Sequence, residues 1–237
     1  MVLLDEEQGL QVISTGSGEL DRKIGGGLPL GSLTLVEGES GAGKSTLSQH
    51  LLWGVLTMDG SALVYTTENT VKSLLNQVQS IGMDMTDYFL LDRLRIHALQ
   101  ANEFDEPDKA YELLFQHMES MSDYDAIVLD SLSTFLTRST DEQILGFFSQ
   151  CKEICDKGKA IICTAHSHAF EERILTRVRS VCDAHLKLLV EPGASELVKT
   201  MEIAKIKGAE LSTGGIISFA IEPGIGMRII PMSKARA

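Results

Sequence analysis

Long apolar runs are missing from this 237-residue chain. A helix that crosses a bilayer needs about 20 predominantly apolar residues in succession, and no such stretch occurs, so no membrane span is expected. The opening MVLLDEEQGLQ lacks the basic flank and small-residue cleavage site of an export signal, which leads us to expect a cytoplasmic protein. Cysteine is scarce: Cys151, Cys155, Cys163 and Cys182 follow no framework spacing. Cys151 and Cys155, four apart on a predicted helix, share a face. All four read as reduced, buried or half-buried thiols rather than as a disulfide or metal set. Positive charge is in deficit too, with 21 Lys and Arg against 33 Asp and Glu and a net charge of −12. A chain that tracks nucleic acid neutralises phosphates with a basic stripe. Here Arg173, Arg177 and Arg179 have Glu171 and Glu172 beside them, which disfavours a nucleic-acid partner.

Short apolar runs alternating with helix-length segments fill most of the chain. LTLVE (33–37), ALVYTT (62–67), LRIHAL (94–99), AIVLD (126–130) and AIICTA (160–165) read as strands. Their near-continuous apolar character suits a parallel sheet covered on both faces. Helical patterns fall at 44–58, 70–82, 106–121, 141–157 and 169–181, so β-α-β units with right-handed crossovers are predicted. After residue 184, HLKLLVE, KTMEIAKIKG, GIISFAIEP and MRIIP follow one another with Gly and Pro turns between them, and predict antiparallel hairpins on one edge. No linker, repeat or low-complexity tract divides the chain, and residues 1–237 are read as one α/β domain.

Gly38-Glu39-Ser40-Gly41-Ala42-Gly43-Lys44-Ser45 matches GxxxxGK[ST] between a predicted strand and a predicted helix. Glycine lets backbone N–H groups turn inward around phosphate oxygens, and the helix N-terminus adds partial positive charge. The motif predicts that Lys44 meets the β- and γ-phosphates of ATP, or a close relative, and that the Ser45 hydroxyl ligates Mg2+. Thr46 completes the predicted nucleotide-binding set. Asp130 ends the apolar strand AIVLD about 85 residues later, where a carboxylate holds the magnesium shell directly or through water. Glu68, just past ALVYTT, is the candidate to activate water; its competing role is that of an acid at a helix N-terminus, with Asn69 or Thr70 as cap. His166 and His168 end AIICTA, and are read as a phosphate sensor or loop hydrogen-bonding residues in preference to metal ligands.

With these pieces in place the chain resembles the RecA-like P-loop ATPases of the KaiC group. The likeness runs through Ile13-Ser14-Thr15-Gly16, Glu19-Leu20-Asp21, Gly25-Gly26-Gly27-Leu28-Pro29, Gly31-Ser32, and Ile203-Ala204-Lys205-Ile206-Lys207-Gly208, and so covers nearly the whole chain. Within that group it is most similar to the accessory ATPases of the archaellum motor, the archaeal flagellum. Residues Tyr65 to Leu74, Asp84 to Leu91 and Asp130-Ser131-Leu132-Ser133 carry this narrower likeness. It departs from vigorous enzymes of the group in two places. Their adjacent glutamate pair reads Glu68-Asn69 here, and their Lys-x-Arg, which reaches a neighbouring subunit's site, reads Lys205-Ile206-Lys207. Lysine lacks the planar fork that grips a phosphate twice, and an arginine finger contributes about 10³–10⁵ in rate where one acts.

The resemblance implies an ATP- and Mg2+-binding ring, a hexamer in the RecA manner. It further implies docking to the motor ATPase FlaI and a membrane-anchored scaffold at the inner face of the cell membrane, with slow or partner-dependent hydrolysis. Two alternatives accompany this reading. One is an autokinase that phosphorylates its own hydroxyls, with Thr66, Thr67 and Thr70 near the site. The other is a RecA-type DNA-stimulated ATPase, for which the segment 167–180 would have to supply a basic loop.

Overall fold

The computed structural model describes residues 12–100, 106–192, 197–209 and 215–230. The opening segment read for an export signal, 1–11, lies outside them. From the N-terminal side come β1 (Val12–Ile13), α1 (Gly18–Lys23) and β2 (Leu28–Pro29), then β3 (Leu33–Gly38) and α2 (Lys44–Thr57). The alternation continues with β4 (Ala62–Thr66), α3 (Val71–Ser80), α4 (Thr86–Leu90), β5 (Leu94–Ala98) and α5 (Pro107–Ser120). It then runs through β6 (Ala126–Asp130), α6 (Leu132–Phe135), α7 (Asp141–Asp156), β7 (Ala160–His166) and α8 (Glu172–Val181). Last are β8 (Ala184–Pro192), β9 (Leu197–Ile206), β10 (Ile216–Glu222) and β11 (Gly226–Ile230).

All five predicted parallel strands and all five predicted helices are present. Helix starts follow local chemistry. Thr70 accepts from the Ser73 N–H to cap α3. Thr140 and Gln143 form a reciprocal capping box on α7, at 2.9 and 3.3 Å. Pro107 opens α5, where its missing N–H costs nothing.

Nine strands form one sheet in the order β11-β10-β9-β8-β3-β7-β6-β4-β5. From β8 to β5 every neighbour is parallel, and β8-β9-β10-β11 are joined antiparallel. The predicted hairpin edge is therefore real, with β8 as its junction to the parallel part. β3 lies inside the sheet and every one of its residues is buried, which explains its near-continuous apolar pattern.

Each face of the sheet has its own core. Leu47, Leu51, Val55, Leu74 and Val78 of α2 and α3 pack on one. Leu114, Phe147, Phe148, Ile174 and Leu175 of α5, α7 and α8 pack on the other. Each fully buried Leu or Phe contributes about 1.5–3 kcal/mol, so the carboxyl ends of the parallel strands are held at fixed spacing. The four cysteines are free and buried in this second core, Cys151 and Cys155 on α7, Cys163 on β7 and Cys182 at the end of α8.

Candidate nucleotide-binding site

β3 ends at Gly38, and the chain turns through five residues into α2. A methyl group at Gly38 would lie 2.7 Å from the Leu188 carbonyl oxygen. Gly41 has φ +74° and Gly43 φ +104°. A side chain at Gly43 would also meet Ile221 Cδ1 at 3.1 Å and Phe219 Cε2 at 3.3 Å. Glycine is thus demanded by space at Gly38 and by backbone conformation at Gly41 and Gly43. From outside the loop, the Lys199 ammonium of β9 donates to the Gly41 carbonyl.

The Lys44 ammonium donates to the Glu39 carbonyl at 2.9 Å and lies 3.2 Å from His166 Nδ1. Burial pulls the Lys44 pKa below its ordinary value, against the attraction of Glu68 and Asp130. Asp130 is 4% exposed. Its Oδ1 accepts from the Thr164 hydroxyl at 2.5 Å and faces the Ser45 hydroxyl at 3.4 Å. Burial pushes the Asp130 carboxyl up, and the charge of Glu68 adds to that, while the Thr164 and Ser45 bonds and Lys44 oppose it. Both groups gain from nearby opposite charge, an anion for Lys44 and a cation for Asp130.

Ser40, Gly41, Gly43, Lys44, Ser45, Thr46 and Glu68 line one cleft of about 230 Å³, joined by Gln77, His166 and Ile221. Of the remaining predicted residues, Gly38 and Ala42 are buried, Asp130 lies against Ser45, and the Glu39 carboxylate reaches outward to within 3.7 Å of His168. The Ser45 and Asp130 oxygens suit a hard cation such as Mg2+, which takes oxygen ligands and one or two carboxylates. Buried and unpaired hydroxyls of Thr67, Ser131 and Ser167 follow the ends of β4, β6 and β7. The glycine cradle, the ammonium and the oxygen set fit a magnesium-nucleotide.

Both roles weighed for Glu68 meet the structure here. Thr70 caps α3, as the helix-terminus reading has it, and Asn69 Oδ1 accepts from the Ser73 hydroxyl at 2.9 Å. Glu68 also lines the cleft, with Oε1 3.8 Å from His166 Nε2. His166 therefore stands between Lys44 and Glu68, one ring nitrogen toward each. His168 has an 84% exposed side chain and turns away.

Lys207 lies 3.3 Å from Asp183, and Lys205 donates to the Arg179 carbonyl at 3.1 Å; neither lines this chain's own cleft. The arginines of 167–180 are balanced differently from the sequence reading. Arg173 pairs with Asp141, and Arg179 with Glu172 and the distant Glu37, while Glu171 is the residue before α8.

Thr164, Gln77, Ile221 and Lys199 belong to the site or its support and were not singled out from the sequence. Each arrives from a separate strand or helix, and no local motif marks any of them.

The sequence model of the family "ATPase: KaiC" matches residues 13–234. The archaeal flagellar ATP-binding protein FlaH of Sulfolobus acidocaldarius is 34% identical over 230 residues, covering 95% of this chain and 100% of that protein. The protein of the same description from Methanocaldococcus jannaschii is 30% identical, covering 89% and 91%. The crystal structure of flagellar accessory protein FlaH from Methanocaldococcus jannaschii superposes with a TM-score of 0.79 at 28% identity, over 94% of this chain and 99% of that one.

Proposed function

This chain belongs to the KaiC-type ATPases and, among them, to the FlaH family of archaeal flagellar ATP-binding proteins, and from that footing we propose that it is an ATP-binding component of the archaellum whose bound nucleotide acts as a switch. The observation that carries the reading is the convergence of Lys44, Ser45, Asp130 and Glu68 on one glycine-lined cleft. Lys44 would meet the β- and γ-phosphates, and Ser45 with Asp130 would hold Mg2+, which supplies charge neutralisation at the transferring phosphoryl group. Glu68, which lines the same cleft, would orient water. His166, bridging Glu68 and Lys44, is placed to register whether a γ-phosphate occupies the Lys44 end.

Slow hydrolysis is supported by the same geometry. Asn69 is spent on Ser73, and Lys207 on Asp183. A γ-phosphate that orders surrounding loops without rapid turnover suits a conformational input better than a power stroke. We further propose assembly into a homo-oligomeric ring and nucleotide-dependent docking to FlaI and a membrane-anchored scaffold, at the inner face of the cell membrane through partners alone. Among the described residues no helix is long and apolar enough to cross a membrane.

Two measurements test this. Lys44→Ala should abolish binding of a fluorescent ATP analogue; retained affinity would overturn the site assignment. Mixing the chain with the archaellum motor ATPase of the same organism, with and without Mg-ATP, should give a complex by size-exclusion chromatography whose amount depends on nucleotide. Absence of a complex in both conditions, or a complex indifferent to nucleotide, rejects the switch.

A further inference from the structure

Gln49 puts an amide in an apolar place. It lies on α2 between Leu47 and Leu51 and is 3% exposed. A buried polar side chain is ordinarily met by a partner. Here the partner is Gln77 of α3, whose Oε1 accepts from Gln49 Nε2 at 3.0 Å. Thr46, one turn before Gln49 on the same face of α2, lines the phosphate cleft, and so does Gln77.

The bond decides what Gln77 presents. With Oε1 committed to Gln49, the amide's unspent groups are the N–H donors of Nε2, and among the described residues they meet no acceptor. Gln77 is an exposed residue, so a molecule in the cleft can reach it. Its place along α3 says which part of that molecule. α3 starts at Val71, and at 1.5 Å per residue Gln77 lies about 9 Å further along the axis. It therefore stands apart from the end where Lys44, His166 and Glu68 face one another, on the Thr46 side.

We infer that Gln77 is a specificity-determining residue of the nucleotide site, its amide N–H donating to a neutral acceptor on the nucleoside, and that Gln49 is the positioning residue that aims it. The inference rests on the nucleotide reading, which gives the Lys44 end to the β- and γ-phosphates and leaves the nucleoside to the other end of the cleft. A neutral donor suits a neutral acceptor, either a ribose oxygen or a ring nitrogen. Because Gln49 holds Oε1, Gln77 offers its donor and not its carbonyl, so the site favours an acceptor at that point of the nucleoside. Gln49 touches no ligand atom and acts through Gln77 alone.

Isothermal titration calorimetry on the full chain tests this by comparing Mg-ATP with Mg-tripolyphosphate, which keeps the phosphates and lacks the nucleoside. Gln77→Leu should weaken Mg-ATP about three- to tenfold, the net worth of one hydrogen bond, and leave tripolyphosphate affinity unchanged. Gln49→Met, which fills similar space without the tie, should shift Mg-ATP in the same direction, again with tripolyphosphate unmoved. A merely structural role would move both ligands together. 2′-Deoxy-ATP and 7-deaza-ATP separate the two acceptors: the analogue that binds wild type and Gln77→Leu alike is the one that has lost the contact, and names ribose or ring. Equal Mg-ATP affinity in wild type and Gln77→Leu, or an equal loss for Mg-ATP and tripolyphosphate, overturns the inference and leaves the nucleotide reading in place. No Mg-ATP binding by the wild type, or binding untouched by Lys44→Ala, overturns both.

Discussion

Replacing Arg179 with Met should destabilise the chain by about 3 kcal/mol at neutral pH. The target of Arg179 is Glu37, which lies one residue before the end of β3 and is 1% exposed. Arg179 Nε donates to Oε2 at 2.9 Å and Nη2 to Oε1 at 2.8 Å, while His185 Nε2 lies 3.0 Å from Oε2. Burial alone would raise the Glu37 pKa, but the hydrogen bonds and charges of His185 and Arg179 outweigh it and bring the value from 4.5 down to about 2. At about 1.4 kcal/mol per tenfold change in proton affinity, that fall corresponds to about 3 kcal/mol in favour of the folded carboxylate.

Removing one partner of a buried ion pair independently suggests about 3–5 kcal/mol; because His185 keeps part of the stabilisation, the lower figure is the expectation. For a chain of this size it lowers Tm by about 6–12 °C. The pH signature is more demanding. In the wild type, Glu37 contributes stability above pH 4.5 that is lost as pH falls toward about 2. In the variant, burial dominates and Glu37 takes up a proton earlier, relieving its penalty. The gap between the two proteins, followed by circular dichroism, should be widest near pH 7.5 and narrow steadily toward pH 4. A Tm change under about 2 °C, or a gap that stays constant with pH, would refute the reasoning.

Glu68→Gln should leave ATP binding intact and reduce phosphate release; an unchanged rate would leave Glu68 without a chemical role. Thr164→Val removes the hydroxyl bonded to Asp130 and should weaken Mg2+-dependent nucleotide binding by about 10–100-fold, as outer-sphere changes at metal sites do. Titrations with Mg2+ and with EDTA should differ for the wild type and converge for this variant. His50 stands 3.1 Å from the Thr15 carbonyl and accepts from the Met227 N–H at 2.8 Å, and burial holds its pKa below 6.5. The unfolded chain therefore takes up a proton below pH 6.5 that folded His50 refuses. Urea midpoints should decline from pH 7.5 to 5.5 more steeply in the wild type than in His50→Leu; parallel slopes would discount the residue.

The phosphate loop was legible because its chemistry is local: three glycines, a lysine and a hydroxyl within eight residues carry both the turn and the charge. Strand and helix placement was legible where apolar periodicity ran for a whole element. It failed for α4 and α6, whose five and four residues are too few to show a period. α8 begins at Glu172 rather than 169 because the Ala169 N–H turns back to the His166 carbonyl and Glu171 is extended. The site's finer wiring joins distant parts of the chain. Lys44 meets His166 across 122 residues, Asp130 meets Thr164 across 34, and Arg179 meets Glu37 across 142. Only the folded sheet, by aligning the ends of β3, β6 and β7, brings these side chains together. Charge balance in 167–180 was legible in part: Arg179 does pair with Glu172, but it also pairs with Glu37, and Arg173 pairs with Asp141, partners far off in sequence.

The antiparallel border does more than widen the sheet. Leu188 crowds Gly38, Lys199 holds the Gly41 carbonyl, and Phe219 with Ile221 backs Gly43, so three successive strands, β8, β9 and β10, each touch a different glycine of the loop. The loop is the palm side of a hand whose fingers end at β11. A displacement of β8, β9 or β10 would meet the loop by direct contact, without passing through the parallel interior.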